Sequence, residues 1–140
     1  MKNLRILVDT NVLVDYISNR VPFAEDAYKI IELCIKKEVA GAIAAHTITN
    51  LYFILRKELP PDKRRNTLLK LCRVFTVVGL DSLKLESALR HDIFEDFEDG
   101  LQDECAKDFQ ANFIITRNLK DFSYSNITAI EPKTFLQNLK

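Results

Sequence analysis

The residues best suited to chemistry in this sequence are carboxylates, and they are unevenly placed. Between His91 and Asp108 lie Asp92, Glu95, Asp96, Glu98, Asp99, Asp103, Glu104 and Asp108, eight of the 20 acids within 18 residues. Were that stretch one helix, Asp92, Asp96, Asp99 and Asp103 would share a face, at a cost of a few tenths of a kcal/mol, roughly, per like-charged pair. A divalent cation would relieve that repulsion. Asp99 can instead cap a helix over 100–110, with Gln102 completing a capping box, and acidic runs are usually solvated surface. Asp9 is different. It ends the apolar run LRILV, and Thr10 or Asn11 is the better cap for a helix over 12–17, which leaves Asp9 without a structural task. A carboxylate at a strand end is costly to bury unless it is paired or bound to metal. Mg²⁺ or Mn²⁺ takes such oxygens while keeping its own waters, and can lower the pKa of a bound water for attack on a phosphate.

The elements that must position these acids follow from pattern. Short apolar runs at 4–8, 41–45, 74–78, 112–116 and 127–130 read as strands. Helical stretches at 24–38, 47–59, 62–73, 82–91 and 100–110 lie between them. Tyr28, Ile31, Cys34 and Ile35 form one expected inner face, Leu68, Leu69 and Cys72 another, and Phe97, Leu101, Cys105 and Phe109 a third. Pro60-Pro61 should stop the second helix. Alternating strands and helices predict a parallel sheet covered on both faces, one α/β domain over 1–140. Ligands of such sheets bind beyond the carboxyl ends of strands at the switch in strand order. That rule points to Asp9-Thr10-Asn11 and Thr116-Arg117-Asn118.

Composition excludes several classes. The 140 residues are 47% hydrophobic and 29% charged, with 20 basic against 20 acidic side chains, so a diffuse electrostatic grip on nucleic acid is not expected. Cys34, Cys72 and Cys105 include no CxxC pair and read as buried thiols of a reducing, cytoplasmic setting. The longest uncharged run, 39–55, has 17 residues and polar groups at its centre, too short for a membrane span. Nor does the N-terminus resemble a signal peptide, interrupted as it is by Asp9 and Asp15. No Gly-rich phosphate loop is present.

Taken together, Asp9-Thr10-Asn11-Val12-Leu13 with Asp15, then Glu98-Asp99-Gly100-Leu101-Gln102 ending Cys105-Ala106, then Phe113-Ile114-Ile115-Thr116-Arg117-Asn118 with Asp121-Phe122, resemble a PIN domain. The resemblance runs from Leu4 to about Leu136. It implies a three-layer α/β/α sandwich with a five-stranded parallel sheet in the order 3-2-1-4-5. It further implies a Mg²⁺- or Mn²⁺-dependent ribonuclease of the VapC toxin type, homodimeric and silenced by a small antitoxin. Metal ligands would fall at Asp9 and Asp99. Two positions where the family carries acids hold Asn50 and Asn118; amides keep an oxygen ligand but cannot serve as a general base. Asp121 or Asp96 would then supply missing charge. The expected site is thus Asp9, Asn50, Asp99 and Asn118, with Asp121 as a further ligand and Thr10, Asn11, Thr116 and Arg117 as substrate contacts.

Arg117 can hold a phosphate bidentately or pair with a neighbouring acid. The basic stretch Arg56, Lys57, Lys63, Arg64, Arg65, Lys70 and Arg73 is either a phosphate-binding patch or an exposed helix face. Tyr52, Phe53, Ile48 and Leu55 read as core or dimer surface, and His46 and His91 as structural. The amides favour one rival function, a catalytically silent RNA- or protein-binding module. A domain phosphorylated on Asp9 is a second rival, weakened because Asn11 stands where a DxD pair needs its second acid.

Overall fold

The computed structural model describes residues 4–139; the ends of the expected domain, 1–3 and 140, lie outside them. Five strands carry the fold: β1 (Arg5–Val8), β2 (Ala40–Ala44), β3 (Thr76–Val78), β4 (Phe113–Ile115) and β5 (Thr128–Ile130). All neighbouring pairs are parallel, in the order β3-β2-β1-β4-β5. The helices are α1 (Thr10–Ile17), α2 (Ala24–Ile35), α3 (Ala45–Ile54), α4 (Pro61–Val74), α5 (Ser82–Arg90), α6 (Phe97–Asp108) and α7 (Pro132–Asn138). The expected fold class and strand order are therefore observed.

Strand alternation assigns the layers. Ile6 and Val8 point into a core built with Val12, Ile30, Leu51, Leu68 and Phe135, whereas Leu7 points to the opposite face, against Cys105, Ala106 and Phe109 of the α6 segment. Asp9, the next residue, lies on the Leu7 side and so faces α6. Gly41 is required by packing: a Cβ there would lie 2.5 Å from Cys34 Sγ and 3.0 Å from the Phe75 ring.

Several expected boundaries shift. Pro61 does not stop a helix but opens α4 as its first residue, where its missing N–H costs nothing. α3 starts at Ala45 and ends at Ile54, followed by a 3-10 turn over Leu55–Lys57. α7 was not expected. On α2 the inner stripe is Ala27, Ile30, Ile31 and Cys34, while Tyr28 and Ile35 are exposed. On α4 it is Arg64, Leu68 and Leu71, while Leu69 and Cys72 are exposed, so only two of the three cysteines are buried. Phe97 is likewise largely exposed. Among the described residues, no helix is long and apolar enough to cross a membrane.

Candidate functional site

Asp9 caps α1. Its backbone is extended and its Oδ1 accepts from Thr10 N at 2.7 Å, so the cap is neither Thr10 nor Asn11. The carboxylate does more than cap. Oδ1 also accepts from Gln102 Nε2 at 2.8 Å, and Oδ2 accepts from Thr116 Oγ1 at 2.8 Å and Asn11 Nδ2 at 3.1 Å. Four donors from α1, α6 and the end of β4 thus fix one buried carboxylate. Burial pushes its pKa up, opposed by the Thr116 and Thr10 hydrogen bonds and reinforced by Asp121 and Asp96.

Asp99 comes from the first turn of α6. That helix begins at Phe97, and its cap is Asp96, which accepts from Glu98 N at 2.7 Å. The cap is therefore three residues earlier than Asp99, which is left free of that task. The residues before it form turns, so the acids of 91–108 do not share one helix face. Asp103 is buried elsewhere, bonded to Ser125 and to Lys107 at 3.2 Å. The Asp99 carboxylate has no hydrogen-bond donor among the described residues. Burial raises its pKa to about 7, and the strongest charged influences on it (Asp96, Asp9, Asp121 and Glu98) are all acidic. Its ionised form is disfavoured there, and a cation beside it would favour that form.

Asp9 and Asp99 line one cavity of about 360 Å³ with Asn50, Glu98, His46 and Gln102, and with Phe53 and Ile54 along one wall. Asp99 also lines a neighbouring cavity of about 530 Å³ with Asp96, Asp121, Lys120 and Tyr124. Of the expected site, then, Asp9, Asn50 and Asp99 line one cavity, and Asp121 lines the adjoining one with Asp99. Asn118 lines neither cavity; it is exposed, and its backbone N–H donates to Thr116 Oγ1 at 2.9 Å.

Three of the four expected substrate contacts have other tasks. Thr116 is fully buried behind Asp9. Asn11 spans Asp9 and Thr116, and it accepts from Arg117 N at 3.4 Å. Arg117 turns away from the cavity. Its Nε and Nη2 donate to the two oxygens of Asp15, at 2.6 and 3.0 Å, and its guanidinium lies 3.9 Å from the Phe23 ring centroid. Asp15 is 1% exposed, so its burial demands such a partner. Only Thr10 lines the cavity, its hydroxyl 3.0 Å from that of Thr47. The basic stretch is equally occupied in part: Arg64 is buried, donating to the Leu59 and Tyr52 carbonyls, and Arg56 covers the Phe53 ring at 3.7 Å.

Gln102, Glu98 and His46 escape the sequence reading. Gln102 passes for a capping-box residue, yet it reaches from α6 to Asp9 at the end of β1. His46 precedes Asn50 by one helical turn, which places both on the same face of α3; that spacing was the available signal. Both His46 ring nitrogens and Gln102 Oε1 are buried without a partner. Burial lowers the His46 pKa against the opposing charge of Glu98.

The donors around Asp9 and Asp99 are mainly hard oxygens, joined by the His46 ring nitrogens and by no Cys. Among the described residues no three His, Cys, Asp or Glu side chains are gathered into a preformed cage. Two carboxylates raised in pKa and amide oxygens with room for water suit Mg²⁺ or Mn²⁺ rather than zinc.

A family model described as PIN domain matches residues 5–120. The chain is a PIN domain. Its fold is similar to VapBC2 of Rickettsia felis, solved bound to a DNA fragment from its promoter (TM-score 0.69, 15% identity, covering 91% of this chain and 98% of that one). It is similar too to FitAcB of Neisseria gonorrhoeae (TM-score 0.65, 18% identity, 91% and 98%). A toxin–antitoxin complex from Klebsiella pneumoniae gives a TM-score of 0.67 at 21% identity, covering 91% and 97%. No curated protein sequence matches this PIN domain. At such identities the likeness is one of fold, and the site rests on the geometry above.

Proposed function

We propose that this PIN domain is a Mg²⁺- or Mn²⁺-dependent endoribonuclease, the toxin of a toxin–antitoxin pair. The observation that carries the reading is the meeting of Asp9 and Asp99 at the sheet's switch point, both with carboxyl groups raised in pKa and no donor satisfying Asp99. Asp9 and Asp99 would hold the ion, with Asn50 offering an amide oxygen and Asp121 adding charge from the adjoining cavity. Once bound, the ion supplies a water of lowered pKa and charge neutralisation at the phosphate.

The chain's own residues do the rest. Thr10 N, Gln102, Thr116 and Asn11 hold Asp9 in one orientation, so its placement costs nothing at the moment of reaction. Asp99, its carboxyl raised to about 7, would give up its proton where it holds the ion. Phe53 and Ile54 give an apolar flank against which a base can lie. Arg117 supports this arrangement through Asp15 and Asn11 rather than through phosphate. A cytoplasmic homodimer restrained by a small antitoxin completes the proposal; of these, the antitoxin is supported by the toxin–antitoxin complex among the similar folds.

Titration calorimetry with Mn²⁺ on the wild type, Asp9→Asn and Asp99→Asn tests the reading, together with cleavage of a mixed RNA pool. Binding lost in both variants, with cleavage that tracks it, supports the nuclease. The rival is favoured by the amides at 50 and 118: RNA retention without ion binding would replace the nuclease by a silent binding module.

A further inference from the structure

We propose that Phe53 and Arg56 form a docking platform for single-stranded RNA at the rim of the Asp9 cavity. The ring stacks a base, and the guanidinium grips the adjoining phosphate. The inference rests on the ribonuclease reading above and names residues that bind its substrate. Phe53 lines the cavity from the last turn of α3, and it is 62% exposed. A ring so open contributes little to the core. The Arg56 guanidinium covers it, 3.7 Å from the ring centroid. Arg56 Nη1 also donates to the Phe53 carbonyl at 2.9 Å. Two contacts therefore hold this arginine in place.

What those contacts leave open decides its use. Among the described residues, Arg56 Nε and Nη2 have no acceptor. That edge is the one with which arginine meets a carboxylate or a phosphate bidentately. Arg117 commits the same edge to Asp15. The phosphate-holding role expected of Arg117 is thus open to Arg56, which stands beside the cavity through Phe53. Charge points the same way. Among the described residues, none of the seven basic side chains between 56 and 73 is ion-paired, whereas Lys29, Lys36, Lys84, Arg90, Lys107 and Arg117 all are. In a chain without net charge, that unpaired stretch is a local surface for an anionic ligand. An acid-lined cavity repels phosphate, so its substrate needs a cation at the rim and an uncharged surface for its bases. Arg56 and Phe53 supply one of each. Stacking on an exposed ring needs an unpaired base, which selects a single strand.

The test is fluorescence anisotropy of a labelled single-stranded RNA of mixed sequence, in EDTA so that no turnover is needed, across a salt series. Arg56→Ala should weaken binding about fivefold at low salt. It should also reduce the slope of log affinity against log salt by about 0.7, the share of one phosphate on a single strand. Arg73→Ala removes an equal charge where α4 runs into β3, at the end of the sheet opposite the cavity, and should stay within about twofold of wild type. The chain contains no Trp, so Phe53→Trp places a single indole in the platform. Its emission should be quenched by the single strand, and far less by the same RNA annealed to its complement. An unquenched indole, an equal loss in Arg73→Ala, or unchanged binding by Arg56→Ala overturns the inference and leaves the ribonuclease reading standing. So does an Arg56→Ala that alters the sedimentation mass but not the RNA affinity, which would make the platform a contact between copies of the chain. A wild type that binds no RNA overturns the ribonuclease reading, and this inference with it.

Discussion

Neutralising Asp99 should make the metal-free protein more stable, contrary to the usual effect of changing a site residue. In the folded chain its carboxyl is raised from 3.8 to about 7 by burial and by surrounding acids. Below pH 3.8 the group is protonated folded and unfolded, and contributes nothing. As pH rises from 3.8 to about 7, only the unfolded chain releases its proton, so stability falls; above 7 the penalty is constant. At about 1.4 kcal/mol per pH unit the ceiling is about 4 kcal/mol. Water reaches part of this half-buried carboxylate, so about 1–3 kcal/mol is the expected size. Asn has the same shape, and no hydrogen bond is lost. Asp99→Asn should therefore raise the melting temperature at pH 8 in EDTA by about 3–10 °C for a chain of this length. The gap should shrink to less than about half at pH 5. Saturating Mn²⁺ should stabilise the wild type alone and close or invert the gap. Scanning calorimetry or denaturant melts at both pH values read it out. If Asp99→Asn is less stable at pH 8, or the gap does not depend on pH, Asp99 is not a repelled, desolvated acid and the case for a cation there collapses.

Other outcomes follow from single contacts. Mn²⁺ affinity should rise between pH 6 and pH 8 with net proton release, seen as calorimetric heats that vary with buffer ionisation enthalpy, because Asp99 must lose its proton to bind; pH-independent heats would contradict this. Arg117→Ala strips the buried Asp15 of its partner and should cost about 2–4 kcal/mol in urea melts; a loss under 1 kcal/mol, roughly, would return Arg117 to the role of phosphate ligand. Gly41→Ala drives a methyl into Cys34 Sγ and should cost about 1–3 kcal/mol, largely recovered when combined with Cys34→Ala. Thr116→Val removes one of four donors to Asp9 and should cost about 1–2 kcal/mol in the same melts, with weaker Mn²⁺ binding.

The fold was legible because its strands are short, apolar and separated by helices, a pattern few other architectures satisfy. Helix phase was less so where apolar residues are adjacent. In α4 the run Leu68, Leu69, Leu71 and Cys72 fits two stripes equally well. Arg64 selects between them by sending its guanidinium inward to the Leu59 and Tyr52 carbonyls and onto the Tyr52 ring. A basic residue is the last that periodicity would place inside. In α2 the small Ala27 marks the inner face more truly than the larger Tyr28 beside it. The acids divide in the same way. Local rules gave capping to Thr10 and Asn11 at one helix and offered Asp99 that role at another; the structure gives it to Asp9 and Asp96. Capping is a short-range competition among neighbouring side chains, settled by where the backbone leaves the strand. What lay beyond reach was contact between residues distant in the chain: Gln102 onto Asp9 spans 93 residues, and Asn50 onto Glu98 spans 48. Two amides at acid positions look like a dismantled site along the chain. In three dimensions Asn50 lines the Asp9 cavity and donates to Glu98, whereas Asn118 stands outside both cavities. The two substitutions therefore do not weigh equally against activity.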